Sequence, residues 1–321
     1  MTRYIAGRLA GAAAVLCVVA GLIFWLFELL PGDAATVLLS RQGAGQADPE
    51  QLAVLRAELG LDRPAIVRFV EWAAGLLRGD LGMSLLSHRP VSEVMRFRLA
   101  NSLVLAAVTV TLLVPLSVLF GLTAGAYAGS RFDRWVSRIA LASESIPPFV
   151  IGVLCISWLA LGLGWLPAVS LVPTGTSALD RPEVLVLPVV CLLCGLAPHP
   201  IRIARAQMAE VMGSDYIRTA RINGVPQLRL ILRHAAPNAL SAAVHPLAGA
   251  IVGLIGGIAV VETLFAYPGL AHELLRAISA RDLPFVQSAS VLLAGFGLLT
   301  YLVADVAAMA LSPAGRNVLD R

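Results

Sequence analysis

The sequence predicts an all-α integral membrane protein with six membrane-spanning helices, and three observations carry that prediction. Of the 321 residues, 58% are hydrophobic and only 14% charged, whereas soluble domains carry roughly a quarter charged residues. Mean hydropathy is +0.82. Apolar stretches of spanning length recur at 9–27, 99–128, 139–161, 184–201, 235–261 and 283–304, each long enough to cross hydrocarbon as a helix. In lipid every backbone amide must pair internally, which long runs broken by Pro and Gly achieve as helices; the short alternation of a barrel is absent.

Taken in order, residues 1–30 form the first span with its basic start, Arg3 and Arg8. Its apolar run is longer than a secretion signal core and ends at Glu28 and Pro31 without a small-residue cleavage site, so we expect a retained anchor. Residues 31–98 form an extracytoplasmic loop of short helices. Asp48-Pro49-Glu50-Gln51 signals a helix start with Leu52, Leu55 and Leu59 on one face and Gly60 at its end. A second stretch carries Ile66, Val67, Val70, Trp72 and Leu77 and stops at Gly79-Asp80-Leu81-Gly82. Residues 99–311 hold the other five spans, and 312–321 form a tail.

Charge sets the topology. The termini and the loops at 129–138 and 202–234 together carry about +9, whereas the opposite loops sum to about zero, so both termini are expected in the cytoplasm. All 24 basic residues are Arg. The absence of Lys excludes a lysine Schiff base and a phosphate-binding loop whose Lys reaches the nucleotide, so the chain is not expected to hydrolyse ATP itself. Basic charge concentrated beside membrane spans gives no reason to invoke nucleic acid.

The most charged cytoplasmic stretch, 207–237, predicts two short helices around one glycine. Ser214-Asp215 supplies a cap, Tyr216 to Ile222 make two turns, Asn223-Gly224 suit a left-handed end, and Pro226 can open the next helix at its first position. Arg218 and Arg221, three apart, share a face.

This stretch resembles the inner-membrane permease subunits of binding-protein-dependent ABC importers. Their shared motif, EAA, three residues, Gly, nine residues, I-x-L-P, falls on Arg218-Thr219-Ala220, Gly224 and Ala236-Pro237, with Arg218 in place of Glu and His234 in place of Ile. The dipeptide, oligopeptide and nickel branch typically shows D-Y-V-R-T-A-R-A-K-G, matched by Asp215 to Gly224 with Asn223 replacing Lys. Leu30-Pro31-Gly32-Asp33, Gly79 to Gly82 with Arg89-Pro90-Val91, Glu262 to Leu270 and Ala280-Arg281-Asp282 extend the likeness over nearly the whole chain.

The resemblance implies a type I importer permease of the bacterial inner membrane, forming half of a pathway for a small polar solute. Di- or oligopeptides are the first expectation, nickel or a metal chelate the second. It implies a coupling helix whose residues are Asp215, Tyr216, Arg218, Thr219, Ala220, Arg221, Gly224 and Pro237. It further implies a second, homologous permease, two ATP-binding subunits that use ATP and Mg, and an extracytoplasmic solute-binding protein. This chain itself is expected to bind no cofactor and to catalyse nothing. The rival reading is a secondary transporter or channel without an ATPase, which would have no use for a docking element at 207–237.

Within or beside the spans, Glu144, Pro147, Glu262 and Asp305 are candidate pathway or structural groups, since ionised carboxylates are costly in lipid. Glu144 precedes Ser145-Ile146-Pro147-Pro148, a break that could line a cavity; Glu262 is expected to pair with a loop Arg or to contact the solute, and Asp305 to pair with a tail Arg or to serve transport. His199 and His245, both close to Pro, are expected to be satisfied by a neighbouring carbonyl or to serve as pathway ligands. No metal site is expected: Cys191-Leu192-Leu193-Cys194 has no second pair and apolar surroundings, and His272-Glu273 lacks the second His of a zinc helix.

Overall fold

The computed structural model describes residues 2–29, 32–41, 49–173 and 175–311. Helices dominate. We number them α1 (Thr2–Leu29), α2 (Ala34–Arg41), α3 (Pro49–Glu58), α4 (Ala65–Leu77), α5 (Val91–Ala126), α6 (Arg131–Glu144), α7 (Pro148–Gly162), α8 (Glu183–Leu196), α9 (Pro198–Met212), α10 (Asp215–Ile222), α11 (Gln227–Leu264), α12 (Leu270–Ala280) and α13 (Leu283–Leu311). Four of these, α1, α5, α11 and α13, are long and apolar enough to cross a membrane as single helices. The third and fourth expected spans are bent pairs: α6 meets α7 at 98° and α8 meets α9 at 45°. The break before α7 falls where Pro147-Pro148 remove two backbone donors.

The chain divides into two compact units. One contains 7–102 and 268–296. Its core gathers Val91, Met95, Leu270, Phe285 and Val286. Buried Asp282 ties its loop together, accepting from the Ser84 hydroxyl and from the amides of Leu85 (3.1 Å) and Leu86 (3.3 Å). Asn101 donates to the Pro268 carbonyl (3.0 Å), and the Leu270 amide donates to the Ser102 hydroxyl (2.8 Å).

In this unit α3 begins at Pro49 and is followed by Gly60 at φ +63°, as expected, with Leu52, Leu55 and Leu59 half-buried. The expected cap Asp48, and Leu30-Pro31, lie outside the described residues, as does the 312–321 tail. Of the apolar residues expected on one face of α4, only Trp72 turns inward. Ile66, Val67, Val70 and Leu77 are exposed, while Phe69 and Trp72 point inward, where Phe69 packs edge-on against Phe24. An aromatic pair buries more area per residue than the aliphatic stripe and so sets the rotation.

The other unit contains 103–267 and the end of α13 from Gly297. Two glycines one turn apart on α5 let it touch the backbone of α9. A Cβ on Gly121 would lie 2.6 Å from Ala204 Cβ, and one on Gly125 only 2.4 Å from the Arg205 carbonyl oxygen. Small residues at this spacing are how membrane helices approach closely. Asp133, in the connection ahead of the apolar part of the third span, grips α9 from the other side. Its carboxylate accepts from Arg205 Nε (2.8 Å) and Nη2 (2.7 Å) and from the Gly129 amide (2.8 Å). The Arg205 hydrogen bonds hold the Asp133 carboxyl down at about 2, outweighing the opposing cost of burial.

Candidate functional site

The expected coupling residues sit on one small element and its flanks. Ser214 has the extended backbone of a cap, but its hydroxyl donates to the Val211 carbonyl (2.6 Å) instead of capping α10. Asp215 in the first turn complements the helix dipole in its place. Thr219 donates to the Asp215 carbonyl (2.9 Å). Eight residues on, α10 ends: the Val225 amide donates to the Ala220 carbonyl (3.1 Å) across Gly224, whose φ is +79°. Among the described residues nothing lies within 4 Å of where a Gly224 Cβ would stand, and the demand for glycine there is conformational.

The second short helix expected after Gly224 does not exist as a separate element. Pro226 stands just before α11, and α11 runs unbroken from Gln227 to Leu264. A widened π-helical turn at Leu230–Ala235 lies immediately ahead of Pro237, which is half-buried. Pro237 cannot donate to the preceding turn and its ring crowds it, and one extra residue in that turn relieves both problems.

Two contacts fasten α10 to its neighbours, and sequence reading missed both as anchors. Ile217 is fully buried in a cluster with Met208, Ile231, Ala235 and Ala239. Tyr216 Oη accepts from Asn238 Nδ2 (2.9 Å) and donates to the His234 carbonyl (3.4 Å). The opposite side is open: Arg218, Thr219 and Arg221 are exposed, Ala220 is half-buried, and Ile222 and Leu228 are 77% and 66% exposed. Ile217 and Ile222 are both isoleucines on this helix, one buried and the other exposed, so residue type alone gave no signal of which one anchors it.

The intramembrane candidates are dispersed. Glu144 closes α6 at the 98° break and accepts from Arg202 on α9, with His199 Nδ1 4.0 Å from its other oxygen. Pro147 is the extended residue ahead of α7. Glu262 is wholly buried near the end of α11, and the Tyr267 amide donates to its carbonyl (2.9 Å). Asp305 meets His245 Nε2 on α11 at 3.0 Å. The tail Arg residues lie outside the described residues, and His245 reaches Asp305 because α11 and α13 run side by side there, as the Ser241 bond to the Ala308 carbonyl also shows. The Cys191 thiol donates to the Pro148 carbonyl (3.0 Å), which binds α8 to α7.

The chain is matched along its length by two family models. The binding-protein-dependent transport system inner membrane component covers residues 117–317, and the N-terminal membrane component of the same systems covers residues 1–106. A putative peptide transport system permease protein of Brucella abortus is 39% identical over 297 residues, 92% of this chain and 93% of its own. The glutathione transport system permease protein GsiC of Salmonella choleraesuis is 34% identical over 320 residues, 98% and 99% of the two chains. With these matches, the chain belongs to the binding-protein-dependent inner membrane components, the multi-pass permease subunits of bacterial ABC importers.

Proposed function

We propose that this permease forms one half of the membrane pathway of an ATP-driven importer for di- or oligopeptides, and that α10 is the element through which the ATPase moves it. One observation carries the second part. Helix α10 is held to α9 and α11 by Ile217 and Tyr216 while Arg218, Arg221 and Ile222 are exposed. An exposed face with two cations and an apolar tip suits a groove lined by acidic and apolar groups, and a short helix fixed to two long ones passes rigid-body displacement to them.

The solute class is supported by the relatives: one is named for peptide transport and the other for glutathione, itself a modified tripeptide. Nickel or a metal chelate lacks that support. In this reading both termini and α10 are cytoplasmic, following the basic loops. A second, homologous permease completes the pathway, and two separate subunits bind ATP and Mg and hydrolyse the nucleotide. A solute-binding protein delivers cargo to the side of the 31–98 loop. The chain contributes no catalytic group and no cofactor. Of the three intramembrane carboxylates, Glu144, with Arg202 at the 98° break, is the one most open to a translocating solute, because its side chain is 37% exposed. Pro147 forms that break, whereas Glu262 and Asp305, more deeply buried, serve packing.

Affinity isolation of the chain from gently solubilised native membranes tests the reading. A second permease and an active ATPase should co-purify, and both the ATPase association and peptide uptake should fall when Gly224 is replaced by Val. A transport-competent homo-oligomer free of any ATPase would overturn it.

A further inference from the structure

In the unit that contains 103–267, the 98° break sets α6 across the direction of α7. Helix α7 carries no charged residue and α6 carries five, so α7 is the half that enters hydrocarbon and α6 the half that lies along its surface. Position around α6 then sorts its residues. Asp133 and Ala140 are buried against the protein, whereas Phe132, Trp135 and Ile139 are exposed on a neighbouring arc, Trp135 at 64%. Arg131, Arg134 and Arg138, spaced by three and four, are exposed together on the next arc. Arginines beside exposed Trp and Phe are the pattern of a helix lying sideways in a lipid headgroup layer.

The charge that faces outward is uncompensated. Asp133 is taken up by Arg205 (2.8 and 2.7 Å) and Glu144 by Arg202, both on α9. Among the described residues no acid reaches Arg131, Arg134 or Arg138; Arg134 Nη1 donates to the Gly129 carbonyl (2.9 Å). Topology alone needs only a sum of basic charge. Here the acids of one helix are turned inward and its cations outward, which a negatively charged partner explains. Beside this face a cavity of about 250 Å³ opens between α5, α6, α8 and α9, with Phe120, Val136, Ile139, Ser143, Leu193 and Ile201 in its lining. Phe132 stacks on Phe120 (ring centroids 6.3 Å apart), and Ile139 is both exposed and part of the wall, so the apolar arc of α6 runs on into the cavity. Such walls suit hydrocarbon and offer little to a peptide or a free anion.

We propose that α6 and this cavity form a binding site for an anionic phospholipid, with a length of acyl chain in the cavity and the phosphate-bearing headgroup on Arg131, Arg134 and Arg138. A zwitterionic phospholipid offers the same chain, but its ammonium group cancels much of the attraction. A free phosphate or an acidic protein segment would use the arginines and leave the cavity unfilled. The inference does not depend on which solute is transported.

The full chain, with the subunits that co-purify with it, is placed in nanodiscs of phosphatidylcholine holding a trace of phosphatidylglycerol with a diazirine in one acyl chain. Illumination and peptide mapping then locate the adducts. They should concentrate within 136–143 and 193–201 and exceed those from a diazirine phosphatidylcholine of the same chains by about fivefold or more. Combining Arg131→Gln, Arg134→Gln and Arg138→Gln should remove most of that excess. A charge-matched control at three exposed positions, Arg78→Gln, Arg229→Gln and Arg233→Gln, should leave it unchanged. Equal labelling by the two lipids means an ordinary lipid-facing surface and overturns the proposal. So does an excess that survives the α6 substitutions, or one that falls equally in the control and so reports net charge alone. Absence of adducts from both segments, as expected if a protein subunit covers α6, overturns it as well. Should the α6 variant unfold, the contrast between the two lipids on the wild-type chain decides by itself.

Discussion

Gly125 offers a test in which one methyl group should act with opposite sign at two sites. In Gly125→Ala the new Cβ would lie 2.4 Å from the Arg205 carbonyl oxygen, 2.6 Å from Met208 Cβ and 3.1 Å from the Ala209 amide. Two of these are backbone atoms, and an ordinary contact begins at 3.4 Å, so α9 must retreat by about 1 Å. Overpacking of this kind costs about 1–3 kcal/mol. Against it stands the gain of removing glycine from a helix interior, about 0.5–1 kcal/mol. The net is a loss of about 1–2 kcal/mol. At Gly256, on α11, no described residue lies within 4 Å of the added methyl, so Gly256→Ala should collect the gain alone.

Both variants are compared with wild type by thermal unfolding of the isolated chain in detergent at one fixed scan rate. Gly125→Ala should unfold about 2–6 °C lower, with Gly256→Ala at or above wild type. Gly125→Ala unfolding at the wild-type temperature would refute the close approach of α5 and α9, because no compensating gain of that size is available elsewhere at the site.

Other consequences are as direct. Gly224→Val should cost about 1–2 kcal/mol at a left-handed position and abolish uptake, while Gly224→Asn, the side chain that best tolerates a left-handed backbone and one that meets no described neighbour within 4 Å, should keep most of it; equal loss in both would point to a contact at that residue. Ile217→Ala empties a fully buried site and should loosen α10 by about 2–4 kcal/mol, read as ATP hydrolysed per peptide imported rising several-fold. Asp133 is held at about 2 against an ordinary 3.8, so its stabilising contribution of about 2 kcal/mol is complete above the higher value and fades as pH falls toward the lower. The stability gap between wild type and Asp133→Asn, measured by detergent unfolding, should therefore be constant from pH 7 to 5 and close between pH 4 and 2. Glu144→Gln should lower peptide uptake several-fold without loss of assembly; unchanged uptake would remove Glu144 from the pathway.

The spans were legible because lipid imposes a single rule, and any apolar run of sufficient length must obey it. The same rule is silent about bends: nothing in the hydropathy of 139–161 distinguishes a straight helix from α6 and α7 at 98°, although Pro147-Pro148 marked the hinge. Helix α10 was legible in both bounds, since Gly224 is a conformational requirement that shows in sequence. Its attachments were not. Tyr216 and Asn238 stand 22 residues apart, and Asp133 and Arg205 72 apart; one polar partner does not announce the other until the helices are packed. The rotation of α4 failed for a related reason. Aliphatic and aromatic residues compete for one core, and only the neighbour Phe24 decides between them.

These attachments bear on how a push on α10 would travel. Ile217 and Tyr216 join it to α9 and α11, and Gly121, Gly125 and the Asp133–Arg205 pair join α9 to α5 and α6. None of those links has slack: a fully buried side chain, backbone-to-glycine contact and a two-pronged ion pair all resist small displacements. The compliant places are the breaks, where helical hydrogen bonding is interrupted between Glu144 and Pro148 and at the 45° turn between α8 and α9. A force delivered at α10 therefore moves the α9 base as one body and is expressed as rotation about those two breaks. Glu144 on α6 and Arg202 on α9 stand beside these breaks, so their ion pair lies where the angle between the helix halves would change most.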